Sequence, residues 1–258
     1  MYTPSVTTSG SSPFSELRRI HLLGSRVNNT LASAWWLAEW HHLLMWETLP
    51  EPWQACADLA WEAYCAGSLP IGAVVTDVNG NVLSRGRNRI HERSGEGGTL
   101  FGHRLAHAEV NALIKLDYDR HDPRACTLWT TTEPCPLCVG ALCMADLAEL
   151  RYASRDPWAG SAAMFEAVPY LKNGNVRVVG PEDQWLETVL VALQVERFMR
   201  LKPKALERFM RPYEEAMPEA TLAGRRLYSS GILQTMSKDQ VPVSEALLAV
   251  SAEIGSAE

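Results

Sequence analysis

Between residues 70 and 84 the chain carries the run Pro70-Ile71-Gly72-Ala73-Val74-Val75-Thr76-Asp77-Val78-Asn79-Gly80-Asn81-Val82-Leu83-Ser84. Residues 70–77 are β-branched and apolar and read as a strand. Asn79-Gly80 before a second short strand over 82–84 is a two-residue hairpin signal, with both turn positions expected at positive φ. Outward from this hairpin, strand and helix alternate: helix over 106–116, Thr-rich strand over 126–132, helix over 135–146, strands over 150–153 and 176–179, and a long helix over 185–199. On the N-terminal side, residues 53–66 read as a helix that opens the main domain after Pro50 and Pro52. Alternation of this kind argues for βαβ crossovers, hence an α/β fold: a three-layer α/β/α sandwich around a mixed sheet of about five strands.

Further out the chain changes character. Residues 1–13 are mostly Ser, Thr, Gly and Pro and read as a flexible tail, because they offer too little apolar surface to offset ordering entropy. Residues 14–50 read as a helical N-terminal extension whose Trp35, Trp36, Trp40 and Trp46 must be covered, either by the main domain or across a homodimer interface. Residues 51–200 form the expected main domain, and 201–258 a helical C-terminal extension. The 258 residues, 47% hydrophobic and 21% charged, exclude a wholly disordered, collagen-like or coiled-coil chain. Six cysteines are too few for a disulfide scaffold at this length and favour reduced thiols or metal ligands in a cytoplasmic setting. Cys56 and Cys65 sit on opposite faces of one helix and cannot bridge. No apolar run is long enough to span a membrane: the best candidate, residues 31–46, is interrupted by Glu39, His41 and His42. Arg18-Arg19 is not read as a secretion signal, since Arg26, Asn28 and Asn29 break the apolar stretch that such a signal needs. A net charge of −6 gives no global attraction to a phosphate backbone.

The chemistry concentrates in two segments, Leu105-Ala106-His107-Ala108-Glu109 and Pro134-Cys135-Pro136-Leu137-Cys138. One imidazole and two thiols make a zinc ligand set, and three protein ligands leave the fourth position open, as catalysis requires. Cys135 and Cys138, at i and i+3, share a helix face in its first turn, where unpaired N–H groups favour thiolate. Pro134 suits that helix entrance. Glu109 is two residues from His107, close enough to serve the metal site without being a ligand. Taken separately, a lone CxxC also reads as a redox pair or two core thiols, and a lone HxE as a solvated helix start.

Taken together and in this order, His107-Ala108-Glu109-Val110-Asn111-Ala112-Leu113 and Thr131-Thr132-Glu133-Pro134-Cys135-Pro136-Leu137-Cys138 resemble the zinc-dependent cytidine/deoxycytidylate deaminase superfamily, in its tRNA-adenosine and guanine deaminase branch. The resemblance covers roughly residues 53–200. It implies a cytidine-deaminase-like fold, Zn2+ as cofactor on His107, Cys135 and Cys138, and Glu109 as the catalytic proton shuttle. It also implies Asn88, Ala108 and Trp158 around the substrate. For Asn88 the competing reading is a turn-stabilising amide, and for Trp158 ordinary loop packing.

Two features depart from the family pattern. The nineteen positions from Asn88 to His107 hold Gly95, Gly97, Gly98 and Gly102, a glycine-rich loop expected to cap or narrow the pocket. The helical extensions also lie outside the family core. His103 reads as a solvated loop histidine, and Cys126 and Cys143 as small hydrophobes.

The implied activity is hydrolytic deamination of a nucleobase, nucleoside or related heterocycle, with ammonia release. The alternative is a tRNA-specific adenosine deaminase, favoured by the basic run Arg197, Arg200, Lys202, Lys204, Arg208 and Arg211 and opposed by the acidic whole. A more distant reading is a non-catalytic zinc-binding interaction module. Retention of Glu109 argues against it, since a structural zinc site has no use for a positioned base.

Overall fold

The computed structural model describes residues 45–255. The tail expected over 1–13 and nearly all of the helical extension expected over 14–50, with Trp35, Trp36 and Trp40, lie outside the described residues.

Helix α1 (Glu51–Cys65) starts directly after Pro50 and places Pro52 in its first turn, where a missing N–H breaks no hydrogen bond. Strands β1 (Gly72–Thr76) and β2 (Val82–Arg87) form the expected hairpin, antiparallel, with Val74 opposite Arg85. The turn differs from the sequence reading. Among its residues only Gly80 has positive φ, at 84°. Gly80 N–H donates to Asp77 O at 3.1 Å, and Asp77 N–H donates to Asn81 O at 3.1 Å. This is a three-residue loop, and the register shifts between Val75 and Thr76. The cause is the Asp77 side chain, whose Oδ1 accepts the N–H of Asn79 at 2.8 Å and of Asn81 at 2.9 Å and holds the turn in that form.

The chain continues through α2 (Ala108–Leu113), β3 (Thr127–Thr132), α3 (Pro136–Met144), β4 (Glu149–Ser154), α4 (Met164–Ala167), α5 (Pro169–Asn173) and β5 (Arg177–Val179). The five strands form one sheet in the order β2-β1-β3-β4-β5. β1 is antiparallel to both neighbours, while β3, β4 and β5 are parallel, so the sheet is mixed. β2 and β3 consequently run the same way with β1 inserted between them. The two motif-bearing helices follow β2 and β3, which share a direction but not an edge.

Period-two alternation on the central strand assigns the layers. Val74 joins a core with Trp53, Cys56 and Leu59 of α1, whereas Ala73 and Val75 face the opposite way and join Ala108, Ala112 and Leu113 of α2 and Val139 and Leu142 of α3. Helix layers therefore cover both faces, as the α/β/α sandwich requires. Trp53 meets Trp129 of β3 edge-on at 4.9 Å, filling the first layer.

The remaining helices are α6 (Gln184–Leu201), α7 (Leu206–Ala216), α8 (Pro218–Ser230), α9 (Ile232–Lys238) and α10 (Val243–Gly255). Asp183 caps α6, its Oδ1 accepting Leu186 N–H at 2.9 Å. Leu186, Leu190 and Leu193 of α6 share the α1-side core with Leu227 of α8, Leu233 of α9 and Leu247 and Val250 of α10. Full burial of each such leucine contributes about 1.5–3 kcal/mol. Helices α8, α9 and α10 are thus built into the same core as α1, while α7 packs through Met210 and Tyr213 in a second cluster with Val191 and Val195 of α6. Among the described residues no helix is long and apolar enough to cross a membrane.

Candidate active site

Gly86 in β2 lets α2 lie hard against the sheet. A Cβ there would come within 2.2 Å of Ala108 O and 2.3 Å of Ala112 N, so any larger residue would push the helix away. The close approach fixes the N-terminus of α2. His107 is its extended N-cap residue, not part of the helix that the sequence reading begins at 106. Cys135 holds the equivalent place on α3, extended, followed by Pro136 in the first turn. Cys138 is fully buried one turn further on.

These placements bring the three side chains together. Cys135 Sγ is 3.7 Å from Cys138 Sγ, and His107 Nδ1 is 3.6 Å from Cys135 Sγ and 3.4 Å from Cys138 Sγ. A tetrahedral zinc, with Zn–S of about 2.3 Å and Zn–N of about 2.0 Å, holds its sulfurs about 3.8 Å apart and each sulfur about 3.5 Å from the nitrogen. The residues fit that ion. The hydrogen bond from Cys138 pulls the Cys135 thiol down to about 4, against the opposing effect of burial and with help from His107. The same hydrogen bond, together with burial, raises Cys138 well above the usual thiol range. His107 is raised, chiefly by its hydrogen bond to Cys135.

Glu109 lies in the first turn of α2 and is only 4% exposed. Burial raises its carboxyl pKa, opposed by the nearby His107. Thr130 Oγ1 in β3 donates to Glu109 Oε1 at 3.3 Å. Ala108, also buried, is the first residue of α2, where a backbone N–H has no partner within the helix. Asn88 is buried just past β2, its Oδ1 accepting Ile90 N–H at 3.2 Å. Arg89 N–H donates to Ala106 O at 2.9 Å, so the base of the long loop is closed and Asn88 and His107 sit on either side of that bond.

The glycine-rich loop is tied down by Asn111, which the sequence reading includes only as part of the motif. Its Oδ1 accepts Leu100 N–H at 2.8 Å, and its Nδ2 lies 3.1 Å from both Leu100 O and Arg87 O. Inside the loop Glu92 pairs with Arg87 and with Arg89. His103 is exposed and its Nδ1 accepts Leu105 N–H, outside the metal-ligand cluster. A cavity of about 110 Å³ opens at β2, lined by Glu62, Arg85 and Lys115 together with Arg89, Glu96 and Thr99 of the loop, and by no member of the metal-ligand cluster.

Glu133, immediately before Pro134, is a second residue whose role only contacts reveal. Its carboxylate accepts Ala162 N–H at 3.1 Å and Asp156 N–H at 3.5 Å, and Ser161 N–H donates to Pro134 O at 3.0 Å. The loop after β4 is thereby fastened beside Cys135. Trp158 in that loop packs edge-on against Phe209 at 4.7 Å, with the Arg208 guanidinium over its ring at 5.0 Å. Cys126 and Cys143 are buried among α2-side core residues.

Residues 48–154 match the family described as the cytidine and deoxycytidylate deaminase zinc-binding region. Over 118 residues the chain is 32% identical to the guanine deaminase of Bacillus subtilis, a match covering 43% of this chain and 68% of that protein. It is 36% identical over 76 residues to a probable cytosine deaminase of Schizosaccharomyces pombe, covering 30% of this chain and 41% of that one. The tRNA-specific adenosine deaminase of Bacillus subtilis is 32% identical over 100 residues, 36% of this chain and 54% of that one. The chain spans between 17% and 68% of the length of the curated relatives it matches. With the matched region enclosing all of the metal-ligand cluster and Glu109, the chain belongs to the cytidine and deoxycytidylate deaminase family.

Proposed function

We propose that the protein is a zinc-dependent hydrolytic deaminase that converts an exocyclic amino group of a nucleobase, nucleoside or related heterocycle to a carbonyl, releasing ammonia. One observation carries this reading: a three-ligand cluster, His107, Cys135 and Cys138, with the buried carboxylate of Glu109 two residues from the histidine. Three ligands leave a zinc coordination position for water, which a structural site would close with a fourth. When bound, zinc supplies Lewis acidity that brings the pKa of water down to about 7.

The chain's own residues do the rest. Glu109 carries one proton of the attacking water to the ring nitrogen and then the second, from the hydroxyl left on the ring carbon, to the amine, so that the C–N bond breaks as the carbonyl forms and ammonia leaves. Thr130, by donating to Oε1, holds one carboxylate oxygen so that the other faces the reacting atoms. Asn88 offers its amide to the ring, and Ala108 its backbone N–H to the developing carbonyl. Residues 51–200 carry this chemistry.

The tRNA alternative loses support from four of the six members of the basic run, all but Lys202 and Lys204. Arg197 Nε donates to Ser68 O at 2.9 Å and its guanidinium lies over Tyr64. Arg200 pairs with the buried Glu196 at 2.7 Å, Arg211 with Glu215 at 2.8 Å, and Arg208 covers Trp158. Charges so engaged are poor phosphate contacts, which favours a free base or nucleoside as partner. A homodimer belongs to the same reading, supported by exposed Leu105, Leu137 and Met144 near the site helices, and so does a cytoplasmic setting, supported by six cysteines that form no disulfide.

The test is ammonia release from zinc-loaded protein with guanine, cytosine, adenine and their nucleosides, run beside inosine formation in a tRNA anticodon loop. Release from at least one free base or nucleoside is the expected result. Inosine formation at physiological salt with no small molecule turned over would promote the tRNA reading, and no turnover in any arm would overturn both.

A further inference from the structure

Helix α7 lies outside the span matched to the family, yet it reaches the loop that flanks Cys135. Tyr213, fully buried, donates its hydroxyl proton to Asp156 Oδ1 at 2.9 Å. The same oxygen accepts Trp158 N–H at 2.9 Å and Ala159 N–H at 3.0 Å. Three donors on one carboxylate oxygen leave the 156–159 turn a single arrangement. The tyrosine is itself held: Gln194 Nε2 in α6 donates to its hydroxyl at 3.2 Å, and Gln194 Oε1 accepts from Thr132 Oγ1 at 3.4 Å.

The direction of this chain is determined by its members. Because the Gln194 amide donates to the Tyr213 oxygen, the phenol proton is left to point at Asp156. Thr132 ends β3, three residues before Cys135, and Asp156 follows β4, the parallel neighbour, in which Thr132 pairs with Ser154. The hydrogen-bonded relay therefore spans the carboxyl ends of two adjacent parallel strands, where an open α/β sheet binds its ligand. It runs through groups with almost no exposure, since Thr132, Gln194 and Tyr213 are each under 5% exposed. A buried polar relay with every member paired holds its ends rigidly. One turn before Tyr213, Phe209 packs on Trp158, so α7 grips the same loop through an aromatic contact as well.

We propose that α7 is one wall of the substrate pocket and that Tyr213 is a positioning residue, setting the distance between the loop carrying Trp158 and the metal-ligand cluster, and hence the fit of the heterocycle. The claim rests on the deaminase reading for its substrate but not for its geometry. Tyr213→Phe removes one hydroxyl and keeps the buried ring; Phe209→Leu loosens the aromatic contact and leaves the hydroxyl relay intact. Amide hydrogen exchange, read in the full chain at Trp158 and Ala159, should accelerate about two- to tenfold in Tyr213→Phe, as loss of a net hydrogen bond predicts. In whichever of guanine, cytosine or adenine the parent protein turns over, KM should rise by a similar factor while kcat stays within about twofold, and Phe209→Leu should raise KM in the same direction. Unchanged exchange at both amides overturns the proposal, as does faster exchange with KM unaltered in both variants. If the parent protein turns over no base or nucleoside, the deaminase reading fails separately, and the exchange measurement alone judges the positioning.

Discussion

Thr130 Oγ1, at the centre of β3, donates to Glu109 Oε1 in the first turn of α2 across 3.3 Å. A sheet residue and a helix residue thus share one proton, and the carboxylate proposed as the proton shuttle is oriented by a strand two positions away from the one preceding its helix. Glu109→Gln keeps shape and removes the base. It should retain zinc and lose at least the roughly 10²-fold that general acid–base catalysis supplies, measured as ammonia release. Thr130→Val should retain zinc and fold and cost about two- to tenfold in kcat, the worth of one hydrogen bond. Near-parental turnover in Glu109→Gln removes it as the shuttle.

Replacing Cys135 or Cys138 with Ala breaks the ligand set. Each variant should bind less than one zinc per chain by metal analysis, where the parent protein binds one, and should melt at lower temperature, because metal binding free energy is partly folding free energy. Full zinc occupancy in both variants removes the assignment.

Asn111 fastens the glycine-rich loop to β2 from a nearly inaccessible position, 1% exposed, with two hydrogen bonds to Leu100 and one to Arg87 O. Asn111→Ala strands Leu100 and Arg87 backbone groups and should destabilise the protein by about 1–3 kcal/mol. The checks are denaturant unfolding and limited proteolysis, with new cleavage between residues 91 and 104. A variant with parental stability and an intact loop contradicts the role.

Gly86→Ala places a Cβ on backbone atoms that cannot move independently of α2. The expected destabilisation is about 1–3 kcal/mol or more. Since His107 caps that helix, zinc affinity should fall in the same variant although no ligand is changed. Parental zinc affinity and melting temperature together would show that α2 has room to retreat.

Asp77 is an exposed carboxylate held below its usual pKa, first by the Asn81 side-chain amide and then by the Asn81 and Asn79 backbone N–H groups. A group whose folded pKa is lowered contributes stability that is present above the unfolded value and lost as pH falls through the folded one. Asp77→Ala should therefore reduce melting temperature at neutral pH and leave it nearly unchanged in strong acid. An equal loss at both pH values would place its role elsewhere.

The α/β alternation, the five strands and the metal-ligand cluster are legible in the chain because each is local: period-two runs, helix starts marked by proline, and two short motifs of fixed spacing. Asn79-Gly80 announces a hairpin correctly but not its turn, since the competing Asp77 side chain acts across four residues. Nothing in the spelling of residues 107–138 reveals that β1 stands between β2 and β3, because strand order is a matter of which edges pair.

Sequence by itself determined which chemical groups this protein has available, an imidazole, two thiols and a carboxylate at spacings that suit helix N-termini. Only tertiary structure decided their company: Thr130 on Glu109, Asn111 on the loop, Glu133 beneath the post-β4 turn and Tyr213 on Asp156. Those contacts join residues 11 to 57 positions apart. They depend on how closely packed layers meet, and no local pattern encodes that.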